Sequence, residues 1–331
     1  MSELIDELKK KIPNIETIRN LITIKNVNEV VTFRNLITIK NVNEVVTFRN
    51  QRKKALHIAF EYHGANINFP SDIFMKLIEL DENLNYVTIY GCTALGLAFE
   101  EYGKNPNCDP NIFLRLLDFD CNLYQADSYG NTALIYAFKN YVNNPNYSPL
   151  VLQKLVKLDC NPKHANIKLC TSNEYSCTAI MYAFKYYGQQ LNCNSDILMT
   201  LLNHDCNLRC ISNDNQTALM YAFMFYGKNP NYSPKVFMKL LEQDCNPQQI
   251  DSFGLDALDY AYYFYVSNKN FKFSILWKIY NMSINKNRNH FKNIFINDRR
   301  SSLILYRNKS REVYRQQLRK KIEQHRRNRI L

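Results

Sequence analysis

Glycine is scarce in this chain of 331 residues, at 8, and tryptophan occurs once. The phosphate-cradling Gly loop, the Gly-x-Ser-x-Gly elbow and the His-Glu-x-x-His zinc helix are all missing. No run of about 18 apolar residues appears, so no membrane span is expected. The opening residues Met1 to Glu7 carry acids early and lack a long apolar stretch, so they do not read as a secretory signal. A charge excess is missing over most of the chain. The net charge is +12, and residues 286–331 hold 15 Lys/Arg against 3 Asp/Glu, so residues 1–285 are neutral and the basic character belongs to a tail. Apolar residues make up 46%, enough to bury a core. Ten cysteines without a signal segment suggest a reducing compartment, taken here as cytoplasmic, with free thiols.

What is abundant is repetition, which has to be settled before any local assignment. An Ala-Leu-x-x-Ala-Phe motif, with single replacements, starts at Ala55, Ala94, Ala133, Ala179, Ala218 and Ala257. The spacings are 39, 39, 46, 39 and 39, so one unit carries seven added residues. In the third unit Thr132 is a good N-cap, its hydroxyl accepting from a free backbone N–H. Ala133, Leu134, Ala137, Phe138 and Tyr141 then share one helical face. A stop follows near Asn143–Asn146. Ser148-Pro149 opens a second helix, with Pro at its first position and Val151, Leu152, Leu155 and Val156 as its stripe. Equivalent second helices end at Asp-Cys-Asn, and the units are joined by turns such as Asp127–Gly130 and Asp251–Gly254, which place Gly where φ is expected to be positive. Asn215 holds the same position in another unit.

These units resemble ankyrin repeats. Asp-x-x-Gly-x-Thr is present at Asp127, Gly130 and Thr132, Ala replaces the family's Pro in every copy, its His survives only at His57, and Asp-Cys-Asn stands for Gly-Ala-Asp. At 39 residues the unit exceeds the family's roughly 33, the excess lying in the turn between helices. The divergence and the composition resemble the ankyrin repeat proteins of giant DNA viruses such as mimivirus. The resemblance covers about residues 51–280. It implies an all-α helix-turn-helix solenoid with short hairpin-like loops, and a non-catalytic module that binds a protein partner on its concave face and loop tips. The expected organisation is a capping segment over 1–50, six repeats over 51–285 and a basic, helical tail over 286–331.

The two ends read differently. Arg19–Phe33 recurs unchanged as Arg34–Phe48. Ile15, Ile18 and Ile22 suit a helix over 15–25, while Glu-Val-Val-Thr-Phe suits a hairpin strand. In the tail, Ser301–Leu331 suits one amphipathic helix. It has three readings: a solvated tail or cap, nucleic-acid contact or nuclear targeting through Arg315, Arg319, Lys320, Lys321, Arg326, Arg327 and Arg329, or a surface-bound helix.

Candidate partner contacts are Asp127, Tyr129, Lys168, Tyr175, Asp214, Asp251 and Phe253 at the loop tips, and Lys139, Lys185 and Phe225 on the first helices. Tyr136, Tyr182, Tyr221 and Tyr260 recur at one position and suit either packing between helices or a tyrosine ladder on the concave face. The inserted loop, with Ile167, Lys168 and Leu169, either covers a neighbouring turn or contacts a partner. His57 is expected to be a structural hydrogen-bonder, and the repeated Cys121, Cys160, Cys206 and Cys245 small apolar filler. Cys206 and Cys210 lack a second Cys pair for zinc. No catalytic residue, metal or cofactor is expected.

Overall fold

A computed structural model describes residues 3–10, 13–21, 46–48, 51–119, 122–159, 177–204, 208–243, 245–268 and 270–282. Residues 22–45 (most of both copies of the 15-mer), the inserted loop and the basic tail lie outside the described residues, as do Lys168, Tyr175, Cys121, Cys160 and Cys206.

Two short helices, α1 (Glu3–Leu8) and α2 (Ile15–Leu21), precede a two-stranded antiparallel ribbon of β1 (Val46–Phe48) and β2 (Gln51–Lys53), in which Val46 faces Lys53. Helix and strand thus both occur in this segment, the helix at 15–21 and the strand in the second copy of the 15-mer. Six helix pairs follow. The inner helices are α3 (Ala55–His63), α5 (Ala94–Glu100), α7 (Ala133–Lys139), α9 (Ala179–Tyr182), α11 (Ala218–Met224) and α13 (Ala257–Ser267). Their outer partners are α4 (Ser71–Leu80), α6 (Pro110–Asp118), α8 (Pro149–Asp159), α10 (Ser195–Asn203), α12 (Pro234–Glu242) and α14 (Phe273–Met282). Inner helices stack on inner helices and outer on outer, making an all-α solenoid.

Local chemistry starts each helix. Thr93 Oγ1 accepts from the Gly96 N–H at 3.0 Å, Thr217 Oγ1 from Met220 at 3.3 Å and Asp256 Oδ1 from Asp259 at 3.0 Å. Two repeats depart from this rule: in the fourth the Thr178 hydroxyl makes no cap bond, and the first has no threonine there. Lys54 stands where the others carry Thr or Asp, and its ammonium reaches Asp81 at 2.5 Å and the Asn83 carbonyl at 3.0 Å. Outer helices begin at Pro110, Pro149 and Pro234, whose missing N–H costs nothing there. The inner helices are short, because four of the six pass into a tight turn, as at Tyr102–Lys104 and Tyr226–Lys228. In the fourth unit that turn is π-helical, over Ala183–Tyr187.

The core follows the repeat. The sixth unit buries Ala257, Ala261 and Phe264 and has a half-buried Tyr262 where the others carry Phe. Each of the first five units buries the two alanines of its inner segment, which let stacked helices approach closely, and its Phe. That Phe stacks on a Phe of the outer helix where there is one: Phe60 on Phe74 at 4.7 Å, Phe99 on Phe113 and Phe223 on Phe237 at 4.8 Å. Each such buried ring contributes roughly 1.5–3 kcal/mol. A second aromatic, Tyr102, Tyr141, Tyr187 or Tyr226, is fully buried in the turn. Its phenol oxygen accepts from the backbone N–H of Asp109, Ser148, Asn194 or Ser233 at 2.6–2.8 Å, and so fixes the start of the outer helix. Asn105, Asn144 and Asn229 tie each turn to the one before, donating to pairs of backbone carbonyls one repeat earlier. At the N-terminal end Leu4, Leu8 and Ile18 are buried, α1 packs on α3, and His63 Nε2 bonds the Leu8 carbonyl.

Candidate interaction surface

The turns between units present one edge of the solenoid. Gly91, Gly130 and Gly254 have φ of 76°, 80° and 77°, and Asn215 has 58°, so glycine and asparagine stand where a left-handed residue is needed. Each turn is ordered by a polar side chain inside it. Asp127 Oδ1 accepts from the N–H groups of Tyr129 (2.9 Å) and Asn131 (2.8 Å), and Asp251 Oδ1 from those of Phe253 and Leu255, both at 2.9 Å. Neighbouring turns are also bonded to each other, Ser128 N–H to the Tyr90 carbonyl at 2.7 Å and Ser252 N–H to the Asp214 carbonyl at 2.9 Å.

This geometry revises two of the expected contacts. Asp251 is 4% exposed, and its second oxygen accepts from Tyr260 O–H at 2.6 Å. Asp127 is half-buried and accepts from Tyr136 O–H at 2.5 Å. Both carboxylates are consumed in holding the turn, and what the turn offers outward is its tip. Tyr129 is 58% exposed, Tyr90 42%, and Phe253 half-buried. Tyr90 was not singled out in the sequence, although it lies 39 residues before Tyr129. Asp214, half-buried, holds the same tip position in the fifth unit.

The recurring Tyr136, Tyr182, Tyr221 and Tyr260 are 5–7% exposed. Their rings are buried, and the hydroxyls of Tyr136, Tyr260 and Tyr221 end on Asp127, on Asp251 and beside Cys177 Sγ (3.3 Å). They form packing, not a concave ladder, because they are buried, two of them as donors to the turn aspartates. The open side of the inner helices lies three and four residues later. One row there runs Glu61, Glu100, Lys139, Lys185 and Met224, and the next runs Tyr62, Glu101, Asn140, Tyr186 and Phe225. Asn140 Nδ2 bonds the Glu100 carbonyl at 3.1 Å, which shows that these positions neighbour one another across units. Lys139, Lys185 and Phe225 are half-buried in this surface. Lys185 Nζ lies 5.1 Å from the Tyr186 ring centroid and Lys228 Nζ 5.3 Å from that of Phe225.

Other groups are held internally. His57 is fully buried, its Nε2 is 3.3 Å from the Tyr86 carbonyl, and burial pulls its pKa down to about 4. Cys245 is buried as filler. Burial pushes the Cys92 and Cys108 thiols up to about 11. A cleft bordered by Gly96, Glu100, Asp127, Asn131 and Tyr136 has room for about one water molecule. Among the described residues no group of three or more His, Cys, Asp or Glu side chains is placed to hold a metal ion, and no helix is long and apolar enough to cross a membrane. Lys168, Tyr175 and the basic candidates Arg315, Arg319, Lys320, Lys321, Arg326, Arg327 and Arg329 lie outside the described residues.

No family model matches the sequence, and no curated protein does. Solved structures give matches. The chain is similar to ankyrin repeat structures. An ankyrin repeat domain from Acinetobacter baumannii is 19% identical with a TM-score of 0.42, over 68% of this chain and 93% of that one. The ankyrin repeat domain of Bcl-3, a member of the IkappaB protein family, is 16% identical with a TM-score of 0.41, over 78% and 93%. A chain from the complex of a Bdellovibrio bacteriovorus predatory endopeptidase with an immunity protein is 20% identical with a TM-score of 0.43, over 68% and 98%.

Proposed function

We propose that this ankyrin-like solenoid is a non-catalytic protein-interaction module that receives its partner on the inner-helix face and the loop tips. The observation that carries this reading is the way side chains are presented. Turns held rigid by Asp127 and Asp251 raise Tyr129 and Phe253, beside an inner face that displays Lys139, Lys185, Tyr186 and Phe225 at successive equivalent positions. Rigid aromatic and long amphipathic side chains contribute contact area at low entropic cost, and stacked units supply a long open surface instead of an enclosed pocket.

A photo-reactive phenylalanine analogue placed at Tyr129 or Phe225 should give discrete protein adducts in extract, competed by unlabelled protein. The same analogue at Leu150, exposed on an outer helix, should give none. Equal labelling from all three positions would remove the assignment. A second reading, nucleic-acid association, rests on the charge of residues 286–331. It requires affinity that falls steeply with salt and survives loss of the inner-face side chains.

A further inference from the structure

We propose that the inner face of the third to fifth repeats docks an acidic polypeptide segment, an assignment that rests on that face being a partner surface. The face is divided by charge. In the first two repeats its acids have basic neighbours: Glu61 is paired with Lys53 at 2.5 Å and Glu101 with Lys104 at 2.8 Å, while Glu100 stands beside them. In the next three repeats the charged residues are Lys139 and Lys185, in the row of Glu61 and Glu100, and Lys228, which stands four residues further along its unit, in the turn position that Lys104 holds in the second repeat. Among the described residues none of these three forms an ion pair with a carboxylate. Lys185 and Lys228 instead lie along the faces of Tyr186 and Phe225. Those rings are themselves stacked or tilted against the buried Tyr182 at 5.8 Å and Tyr221 at 5.5 Å. The ammonium groups are thus held on a fixed aromatic shelf.

The spacing selects a polypeptide over a nucleic acid. Helices pack about 8–10 Å apart, so Lys139 and Lys185, at one position of adjacent units, stand about three extended residues apart at roughly 3.3 Å per residue, and Lys228 lies beyond them, offset along the next unit. A chain with a carboxylate at every third position matches Lys139 and Lys185, a further carboxylate on a long side chain meets Lys228, and its intervening apolar side chains meet Tyr186 and Phe225. A phosphate backbone carries a charge every 3.4 Å or so along each strand. It would run from these three lysines onto Glu100 and Glu101 at one end, and past the Asp214 tip. Those carboxylates repel a continuous polyanion, whereas a short acidic segment spans the three lysines without running onto Glu100 and Glu101.

The test is fluorescence anisotropy on the full chain with a fluorescein-labelled peptide of repeated Glu-Tyr-Ser, and with oligothymidylate as the nucleic-acid probe. The combined Lys139→Glu, Lys185→Glu, Lys228→Glu variant should bind the peptide at least about tenfold more weakly. The outer-helix set Lys76→Glu, Lys157→Glu, Lys235→Glu, with the same change in net charge, should stay within about twofold. The neutral Lys139→Gln, Lys185→Gln, Lys228→Gln variant, less prone to perturb folding, should show a smaller loss in the same direction. Equal effects of the inner and outer charge reversals, or no effect of either, overturn the proposal. So does an equal loss for oligothymidylate, which would make the face a general polyanion site. The cross-linking experiment separates the two levels. Adducts that persist in the charge-reversed variant leave the partner surface standing and remove only its acidic preference, whereas an absence of adducts in the parent protein removes the surface itself.

Discussion

The side-chain amide of Asn144 donates to the backbone carbonyl of Asn105, one repeat earlier, at 2.5 Å, and to that of Gly103 at 3.0 Å. Asn105 makes the same pair of bonds to Gly64 and Asn66, and Asn229 to Gly188 and Gln190. A solenoid has contacts only between neighbours, so each tie stabilises one interface. Asn144 is 5% exposed, and its truncation removes the donor to the Gly103 carbonyl and leaves the Asn105 carbonyl with the Cys108 N–H alone. Asn144→Ala should cost about 2–3 kcal/mol in urea denaturation. Asn146→Ala, which removes one solvent-exposed bond to the Pro106 carbonyl, should cost under about 0.5 kcal/mol. Equal costs would show that the buried ties are not what holds the turns.

The turns between units give a second contrast. At Gly91 the backbone has φ of 76°, and a Cβ would meet the Ala126 carbonyl oxygen of the following turn at 2.4 Å. Gly91→Ala therefore combines a left-handed strain with a clash against backbone, and should destabilise by about 1–3 kcal/mol. At Asn215, with φ of 58°, glycine relieves a mild strain, so Asn215→Gly should be neutral or raise the melting temperature slightly. Circular dichroism melts of both variants check the order. A Gly91→Ala protein that melts with the parent would contradict the close approach.

Much of this architecture was legible because the repeat displays its own alignment. The N-cap threonines, the apolar stripes of the outer helices and the positive-φ positions at Gly130, Gly254 and Asn215 all follow from one unit read six times. What escaped was the division of labour among polar residues. Asp127 and Asp251 look like tip residues because they begin the turn, and only the fold shows their carboxylates turned inward to Tyr136 and Tyr260. The same inward pairing explains why the recurring tyrosines are not a surface ladder. The asparagine ties and the turn tyrosines were visible as a repeated Tyr-Gly-Lys-Asn-Pro-Asn, but the carbonyls the asparagines reach sit about 40 residues away, beyond any local pattern. The charge division of the inner face was hidden because Glu100, Lys139 and Lys185 are neighbours only once the units are stacked.

Thiol chemistry follows from burial. Cys92, Cys108, Cys177, Cys193, Cys210 and Cys245 form no disulfide, and burial pushes Cys108 up to about 11 and Cys193 up to about 12. At about pH 8 these groups carry little thiolate, the reactive form. In native protein a colourimetric disulfide reagent should modify Cys108, Cys193 and the buried Cys245 far more slowly than a free peptide thiol. In denaturant without reductant all 10 cysteines should titrate. Rapid native modification of Cys108, located by peptide mass mapping, would show that its repeat opens more readily than its packing implies.

The first repeat carries an acid-sensitive group that the others lack. His57 occupies the inner-helix position held by Met181 and Met220, and all three are fully buried. Its Nδ1 has no hydrogen-bond partner, Nε2 faces the Tyr86 carbonyl, and Lys54, paired with Asp81, is close by. Burial is the main cause of its low pKa of about 4, with Asp81 opposing and Lys54 adding to the shift. The unfolded chain takes up a proton on this residue below about pH 6.5, while the folded chain resists until about pH 4. The contribution is therefore fully present above about pH 6.5 and is lost as the pH falls toward 4, up to about 3 kcal/mol in all. His57→Met should abolish that part of the acid sensitivity, leaving the smaller contribution of His63, whose pKa burial also lowers. Urea denaturation of the two proteins at pH values from about 7 down to about 5 measures the difference. The variant's stability should decline less steeply across this window, and parallel curves would mean that His57 is reached by water or protonated within the fold.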